Sequence, residues 1–131
     1  MLAYCTYCSA EKNDSKTALP AIDLYKSARI SKVFLAAQEV KAKFIILSGK
    51  HGIICANEKI NYYDHLLLAS DVGVHSELIA SQIKSKGINE IVFFMKTIEE
   101  DENLKPYLDC IESACLKLKI TLRISLTELG D

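Results

Sequence analysis

"FIILSGKHGII", Phe44 to Ile54, is the stretch on which the fold turns. Four apolar residues lead into Ser48, then come Gly49, Lys50, His51 and Gly52, and the chain turns apolar again. A short continuous apolar run bounded by turn residues is the pattern of a strand buried on both faces, as in a parallel sheet. Phe44 to Ser48 is therefore expected to be an interior strand that delivers a flexible, cationic segment at its carboxyl end.

Working outward, the same kind of segment recurs. Leu2 to Cys8 and Ile91 to Met95 read as two further buried strands, and Lys119 to Ile124 alternates like an edge strand. Leu24, Ala28, Val33, Ala36, Ala37 and Val40 recur at helical spacing, which predicts a short turn near Asp23–Tyr25 and a helix from about Ala28 to Val40. A second helix is predicted from about Val72 to Lys86, with Ser70 or Asp71 at its start and Gly87 at its end. A third runs from Asn103 to Lys117, with Pro106 in its first turn. Ser9 to Pro20 reads as a polar loop, and Gly49 to Leu68 as one long connection. The order β-α-β-α-β-α-β predicts a three-layer α/β/α sandwich around a mostly parallel sheet of about four strands. It is expected to be one α/β domain over residues 1–131.

Composition narrows the partners. Lys plus Arg is 16 and Asp plus Glu is 17, a formal charge of −1, which argues against coating nucleic acid by bulk electrostatics but leaves room for a local basic pocket. No apolar run reaches the roughly 18 residues of a membrane span, so no membrane partner is expected. "MLAYCTYCSAEK" has no basic n-region and no A-x-A-like cleavage site. Five cysteines lie in apolar runs, as suits reduced thiols in a cytoplasmic protein.

In open sheets, ligands bind beyond the carboxyl ends of the strands, near the switch in strand order. That rule puts Cys8–Ser9, Ser48–His51 and Met95–Lys96 along one rim. "SGKHG" is not a phosphate-binding P-loop: Phe44 stands where the first Gly belongs, and His51 follows Lys50 where Ser or Thr is needed. Gly49 and Gly52 still allow backbone N–H groups to face an anion. Lys50 can hold a phosphate as a point charge, and His51 can move a proton near neutral pH. The plainer reading is a strand-to-loop turn with a solvated Lys and His.

Cys5 and Cys8 form a C-x-x-C, but a zinc ribbon needs a second pair at similar spacing, and Cys110/Cys115 is spaced by four within a helix. Residues three apart on a strand point to opposite faces, so Cys5 is read as core and Cys8 as the strand end, a candidate rim nucleophile. No metal site and no cofactor follow from these residues. In "DLYKSAR", Ser27 is a natural N-cap; Tyr25, Ser27 and Arg29 equally suit a rim that stacks on a ring and grips an anion. "NYYDHLL", Asn61 to Leu67, sits in the long connection, and loops longer than about 12–15 residues are usually functional or disordered. Its aromatic content argues against disorder. Asp64 or His65 could join a site and Tyr62 or Tyr63 could stack on a base, or the tyrosines simply pin the loop. The acidic "TIEEDENLK" reads as a solvated face before a helix, and His75 as structural.

Taken in order, "CSAEK … DLYKSAR … FIILSGKHGII … YYDHLL" resembles a family of small, largely uncharacterised bacterial and phage domains. Their pattern is C-S-x-x-K, D-L-Y-x-S, I-L-S-A-K-H-G-L, then a Tyr followed by Leu. The resemblance runs from about Cys8 to Met95. The family is similar to the catalytic domain of archaeosine synthase and, more distantly, to the uracil-DNA-glycosylase-like α/β fold. It implies Cys8, Ser9, Tyr25, Ser27, Ser48, Lys50, His51, Gly52 and Tyr63 as the matching positions. This sequence departs from the pattern at Gly49, where Ala is usual. It also lacks the Lys-Pro-Tyr that follows Cys-Ser in archaeosine synthase, so lysine transfer is not implied.

The leading expectation is an enzyme acting on a nucleobase, nucleotide or nucleic-acid modification, its site at the C-terminal edge of the sheet. His51, Lys50 and Cys8 are the catalytic candidates. Ser9, Tyr25, Ser27, Arg29, Ser48, Gly52, Tyr63 and Asp64 are the ligand-binding candidates, with a small nucleotide-like ligand or nucleic acid as partner. The alternative is a non-catalytic module on the same rim that binds a phosphorylated ligand or docks on a partner.

Overall fold

The apolar run at Phe44 is a strand, and it leads into a hairpin. The computed structural model describes residues 1–127. Along the chain lie β1 (Leu2–Tyr7), β2 (Leu19–Pro20), α1 (Ala21–Leu24), α2 (Ala28–Val40), β3 (Lys43–Ser48), β4 (Gly52–Cys55) and β5 (Lys59–Ile60). They are followed by α3 (Val72–Ser85), β6 (Glu90–Met95), α4 (Lys105–Leu118) and β7 (Thr121–Leu126). β3, β1, β6 and β7 pair in parallel, and β4 folds back antiparallel on β3, giving a five-stranded sheet in the order β4-β3-β1-β6-β7. β2 and β5 form a separate two-stranded pair.

Two expectations need correction. The sheet has five strands where the sequence predicts about four, and Gly49 to Leu68 is not one long connection. Ser48 pairs with Gly52 across the three residues Gly49, Lys50 and His51, so the second apolar run, "GIIC", is strand β4. Gly52 makes this turn possible. Its φ of +74° lies in the left-handed region, and a Cβ there would collide with Gln82 Oε1.

The helices form where capping and periodicity place them. Ser27, extended at φ −151°, accepts a hydrogen bond from the Ile30 N–H at 3.1 Å and starts α2; such a cap stabilises by about 1 kcal/mol. Gly87, at φ +69°, lies just past the end of α3, and Pro106 lies in the first turn of α4. The Asp71 carboxylate does not cap α3; it accepts from the Leu68 N–H and holds the short 3-10 turn at Ala69–Asp71.

Alternate residues of the same strands enter two different apolar clusters, as the two-residue period of a strand requires. Cys5, Tyr7, Ile45, Leu47 and Phe93 pack with Ile79 and Ile83 of α3 and Ile111 of α4. Phe44, Ile46 and Ile54 pack with Leu24 of α1 and Ile30 and Val33 of α2. β1 is the middle strand. The chain leaves it for β3 on one side and later returns to β6 on the other, so the switch in strand order falls at the carboxyl end of β1, at Tyr7–Ser9. Among the described residues no helix is long and apolar enough to cross a membrane.

Candidate functional site

The β3–β4 turn is organised by one hydroxyl. Ser48 Oγ accepts the backbone N–H of Lys50 at 3.1 Å and of His51 at 3.0 Å. Those two amides are turned inward onto the serine, as in other local side-chain-to-backbone turns, and do not face an anion as the glycine spacing suggests. A hydroxyl oxygen offers two lone pairs, and both are taken. The Ser48 proton therefore goes to Tyr63 Oη at 2.8 Å, and the Tyr63 proton to Tyr25 Oη at 2.5 Å. Burial, and next the nearby Cys8 charge, push both phenols well above their ordinary range, so they remain protonated donors. The chain of bonds is extended on its other side by His75, whose Nε2 lies 2.8 Å from the Ser48 carbonyl oxygen and donates to it.

Gln82 fastens the far side of the turn. Its Oε1 accepts the Ile53 N–H at 2.7 Å, and its Nε2 donates to the His51 carbonyl at 3.0 Å. Above Gly49 sits the Tyr107 hydroxyl: a Cβ at Gly49 would stand 2.9 Å from Tyr107 Oη and 3.1 Å from the Leu67 backbone N. The glycine that departs from the Ala of the resembled pattern thus makes room for Tyr107. Tyr107 Oη accepts the Leu67 N–H at 3.2 Å and lies 3.9 Å from Cys8 Sγ, so it ties segment 61–68 to the carboxyl end of β1.

Beneath the rim, Arg29 is fully buried. Its Nη1 donates to Thr6 Oγ1 at 2.5 Å and to the Tyr7 carbonyl at 2.7 Å, and its guanidinium stacks on the Tyr7 ring. Thr6 Oγ1 in turn donates to the Phe94 carbonyl at 2.8 Å. These bonds brace the β1–β6 edge from inside.

Two clefts open on the rim, separated by Asp64 and His65, which line both. The first, of about 150 Å³, is lined by Cys8, Ser9, Lys12, Asp101, Asn103 and Tyr107 among others. The second, broader and about 700 Å³, is lined by Gly49, Lys50, Tyr62, Tyr63, Asp71 and His75 among others. Lys12 Nζ lies 4.7 Å and Lys50 Nζ 5.7 Å from the centre of the Tyr63 ring, so the two ammonium groups reach the same tyrosine from the two clefts. Among the described residues neither has a carboxylate ion-pair partner; the ion pairs lie elsewhere, at Lys105–Asp109, Lys117–Glu77 and Arg123–Glu90.

The sequence candidates therefore divide. Cys8 and Ser9 meet Asp64 in the first cleft, and Lys50 and Tyr63 meet Asp64 in the second. Ser9 is buried and its hydroxyl donates to the Glu11 carbonyl at 2.7 Å. Ser27, Arg29, Tyr25, Ser48 and Gly52 line neither cleft; they cap, brace and turn the elements that do. His51 also lines neither. Its ring meets Tyr63 edge-on at 5.0 Å, and its Nε2 is buried without a hydrogen-bond partner among the described residues. Burial first, and then the Lys50 charge, lower its pKa below the ordinary 6.5, with Glu58 acting the other way. The imidazole that does line both clefts is the exposed His65.

Sequence reasoning passed over Lys12 and Tyr107. Lys12 is the lysine of the Cys-Ser-x-x-Lys spacing, so a signal was present. Tyr107 carried none, because its role depends on where α4 crosses the β3–β4 turn. Cys5, fully buried, has its thiol pushed far up by desolvation, as a core residue would, while Cys8 is half-buried at the cleft.

The chain belongs to DUF6884, a family of unknown function, which it matches over residues 5–95. That span runs from the second half of β1 to the end of β6, and so includes the Ser48 turn, segment 61–68 and most of both clefts. Comparison with curated proteins found no match, and comparison with solved structures found none.

Proposed function

We propose that this chain is an enzyme acting on a nucleobase, nucleotide or nucleic-acid modification, at the C-terminal rim of a three-layer α/β/α sandwich. The two apolar clusters, with α3 and α4 in one and α1 and α2 in the other, support that layering. The distant similarity to the archaeosine synthase catalytic domain and to the uracil-DNA-glycosylase-like fold supports the substrate class. The observation that carries the reading is the approach of Lys12 and Lys50, neither held by a carboxylate among the described residues, to Tyr63 beside a cleft with a half-buried thiol.

In this reading Lys12 and Lys50 hold an anionic group, Cys8 is the nucleophile, and the cleft at Cys8, lined by Tyr7 and Tyr107, takes the ring. Proton transfer falls to His65, which borders both clefts. His51, with its nitrogen turned inside, orients Tyr63. General acid–base catalysis contributes roughly 10²–10⁴-fold, so His65→Ala is expected to cost far more rate than His51→Gln. Single-turnover assays over nucleobases, nucleotides and modified oligonucleotides, run on wild type, Cys8→Ser and His65→Ala, test it. Loss of turnover in both variants supports the reading, and turnover indifferent to both overturns it.

A non-catalytic binding module on the same rim is the second reading. The inward-facing His51 favours it, since the imidazole of the most distinctive motif does not reach either cleft. Ligand binding without turnover across the panel would decide for the module.

A further inference from the structure

We propose that the rim takes its ligand as a free nucleoside monophosphate, not as part of a nucleic-acid strand, with the ring in the Cys8 cleft and the phosphate held by Lys12 and Lys50. This rests on the nucleotide reading above and deepens it.

Room limits the ligand first. A cavity of about 150 Å³ holds a single benzene-sized ring, and the Cys8 cleft has that volume. It is lined by Tyr7, Leu104 and Tyr107 on the apolar side, and by Ser9, Lys12, Asp64, His65, Asp101 and Asn103 as polar groups. Aromatic and apolar residues mixed with donors and acceptors suit a planar heterocycle that carries its own polar edge.

Charge then selects the group the ring carries. The two lysines reach one tyrosine ring without carboxylate partners among the described residues; Lys12 gives one N–H to the Ala10 carbonyl at 3.3 Å, and its ammonium keeps further donors for a phosphate monoester. The Lys50 and His51 amides are taken by Ser48, so the lysine side chains are the groups that meet the anion.

The surrounding carboxylates exclude the polymer. The Cys8 cleft is continuous at Asp101 with a surface formed by Glu99, Glu100 and Glu102, and Asp64 and Asp71 border the Lys50 cleft. A strand in a binding groove needs a positive track for successive phosphates. Here its next phosphates would run along this carboxylate surface, and like charges repel within the screening length of about 8–10 Å at physiological salt. A single phosphate meets the two lysines, whereas a line of phosphates meets the carboxylates.

Isothermal titration calorimetry tests this with the monophosphates CMP, UMP, AMP and GMP, their nucleosides, and short single-stranded oligonucleotides of the same bases. CMP or UMP, whose base is a single six-membered ring, is expected to bind about tenfold or more tightly than its nucleoside, and more tightly than AMP, GMP or the oligonucleotide. Lys12→Ala and Lys50→Ala are each expected to weaken that monophosphate about tenfold. Replacing Glu99, Glu100 and Glu102 together by Gln is expected to raise oligonucleotide affinity and leave monophosphate affinity in place. Tighter binding of the oligonucleotide, no binding of any monophosphate, or monophosphate binding indifferent to both lysines overturns the proposal. Monophosphate binding without turnover leaves it standing while the enzyme reading fails; turnover of a modified strand without monophosphate binding does the reverse.

Discussion

The Ser48 hydroxyl and the Tyr63 hydroxyl, fifteen residues apart in sequence, meet at 2.8 Å and join the β3–β4 turn to the segment that separates the two clefts. Because Ser48 already accepts two amides, this bond has a fixed direction, and Tyr63 passes its own proton to Tyr25. Removing the Tyr63 hydroxyl leaves two buried hydroxyls without their partner. A buried unsatisfied group costs about 1–3 kcal/mol. Tyr63→Phe is therefore expected to lose about 2 kcal/mol in urea unfolding. In a double-mutant cycle with Ser48→Ala the two losses are expected to be strongly non-additive, as for residues in one network.

Gly52 carries two constraints at once, a left-handed φ and the approach of Gln82 Oε1. Gly52→Ala is expected to destabilise by more than the roughly 1 kcal/mol of a Gly-to-Ala change at positive φ. Truncating Gln82 as well relieves the contact but also removes the bonds to Ile53 and His51. Thermal unfolding of Gly52→Ala, Gln82→Ala and the double variant checks this: the double is expected to be less destabilised than the sum of the singles.

How much of this was legible in the sequence depends on how local each residue's role is. The parallel strands and the helices were readable because both-face burial and helical periodicity are local patterns. The Ser27 cap and the Pro106 start were readable for the same reason. The β4 hairpin was not, because "SGKHG" carries residues that serve a ligand loop and a tight turn equally well, and only the contact with Gln82 on α3 separates the two. Arg29 illustrates the same limit. An arginine in the first turn of a helix looks like an anion grip until the tertiary fold places it under Thr6 and Tyr7.

Arg29 is accordingly expected to matter for stability before it matters for binding. Hydrogen bonds to a charged group are worth about 1.5–3 kcal/mol each. Arg29→Leu is expected to lose about 3 kcal/mol or more in denaturant unfolding. A variant as stable as wild type but deficient only in ligand binding would contradict the internal role.

His51 sets a pH dependence. Its folded pKa lies below its ordinary value of 6.5, chiefly because burial disfavours the charged ring. Above 6.5 both states hold a neutral imidazole and the group contributes no slope. As pH falls below 6.5 the unfolded chain binds a proton that the folded chain does not, so stability falls until the folded pKa is passed. Unfolding free energies measured across that window are expected to decline in wild type, and to decline less in His51→Gln. An unchanged slope in the variant would remove His51 as the cause.

The central claim is that the ligand edge is the rim bearing Cys8, Lys12 and Lys50 around Tyr63. The most direct measurement is an amide chemical-shift titration of the isotope-labelled chain with the tightest-binding monophosphate. Perturbations are expected to concentrate at Cys8–Lys12, Gly49–His51 and Tyr62–His65, and to be lost in Lys50→Ala. Perturbations centred instead on the exposed edge strand β7, or on the outer faces of α3 and α4, would contradict it.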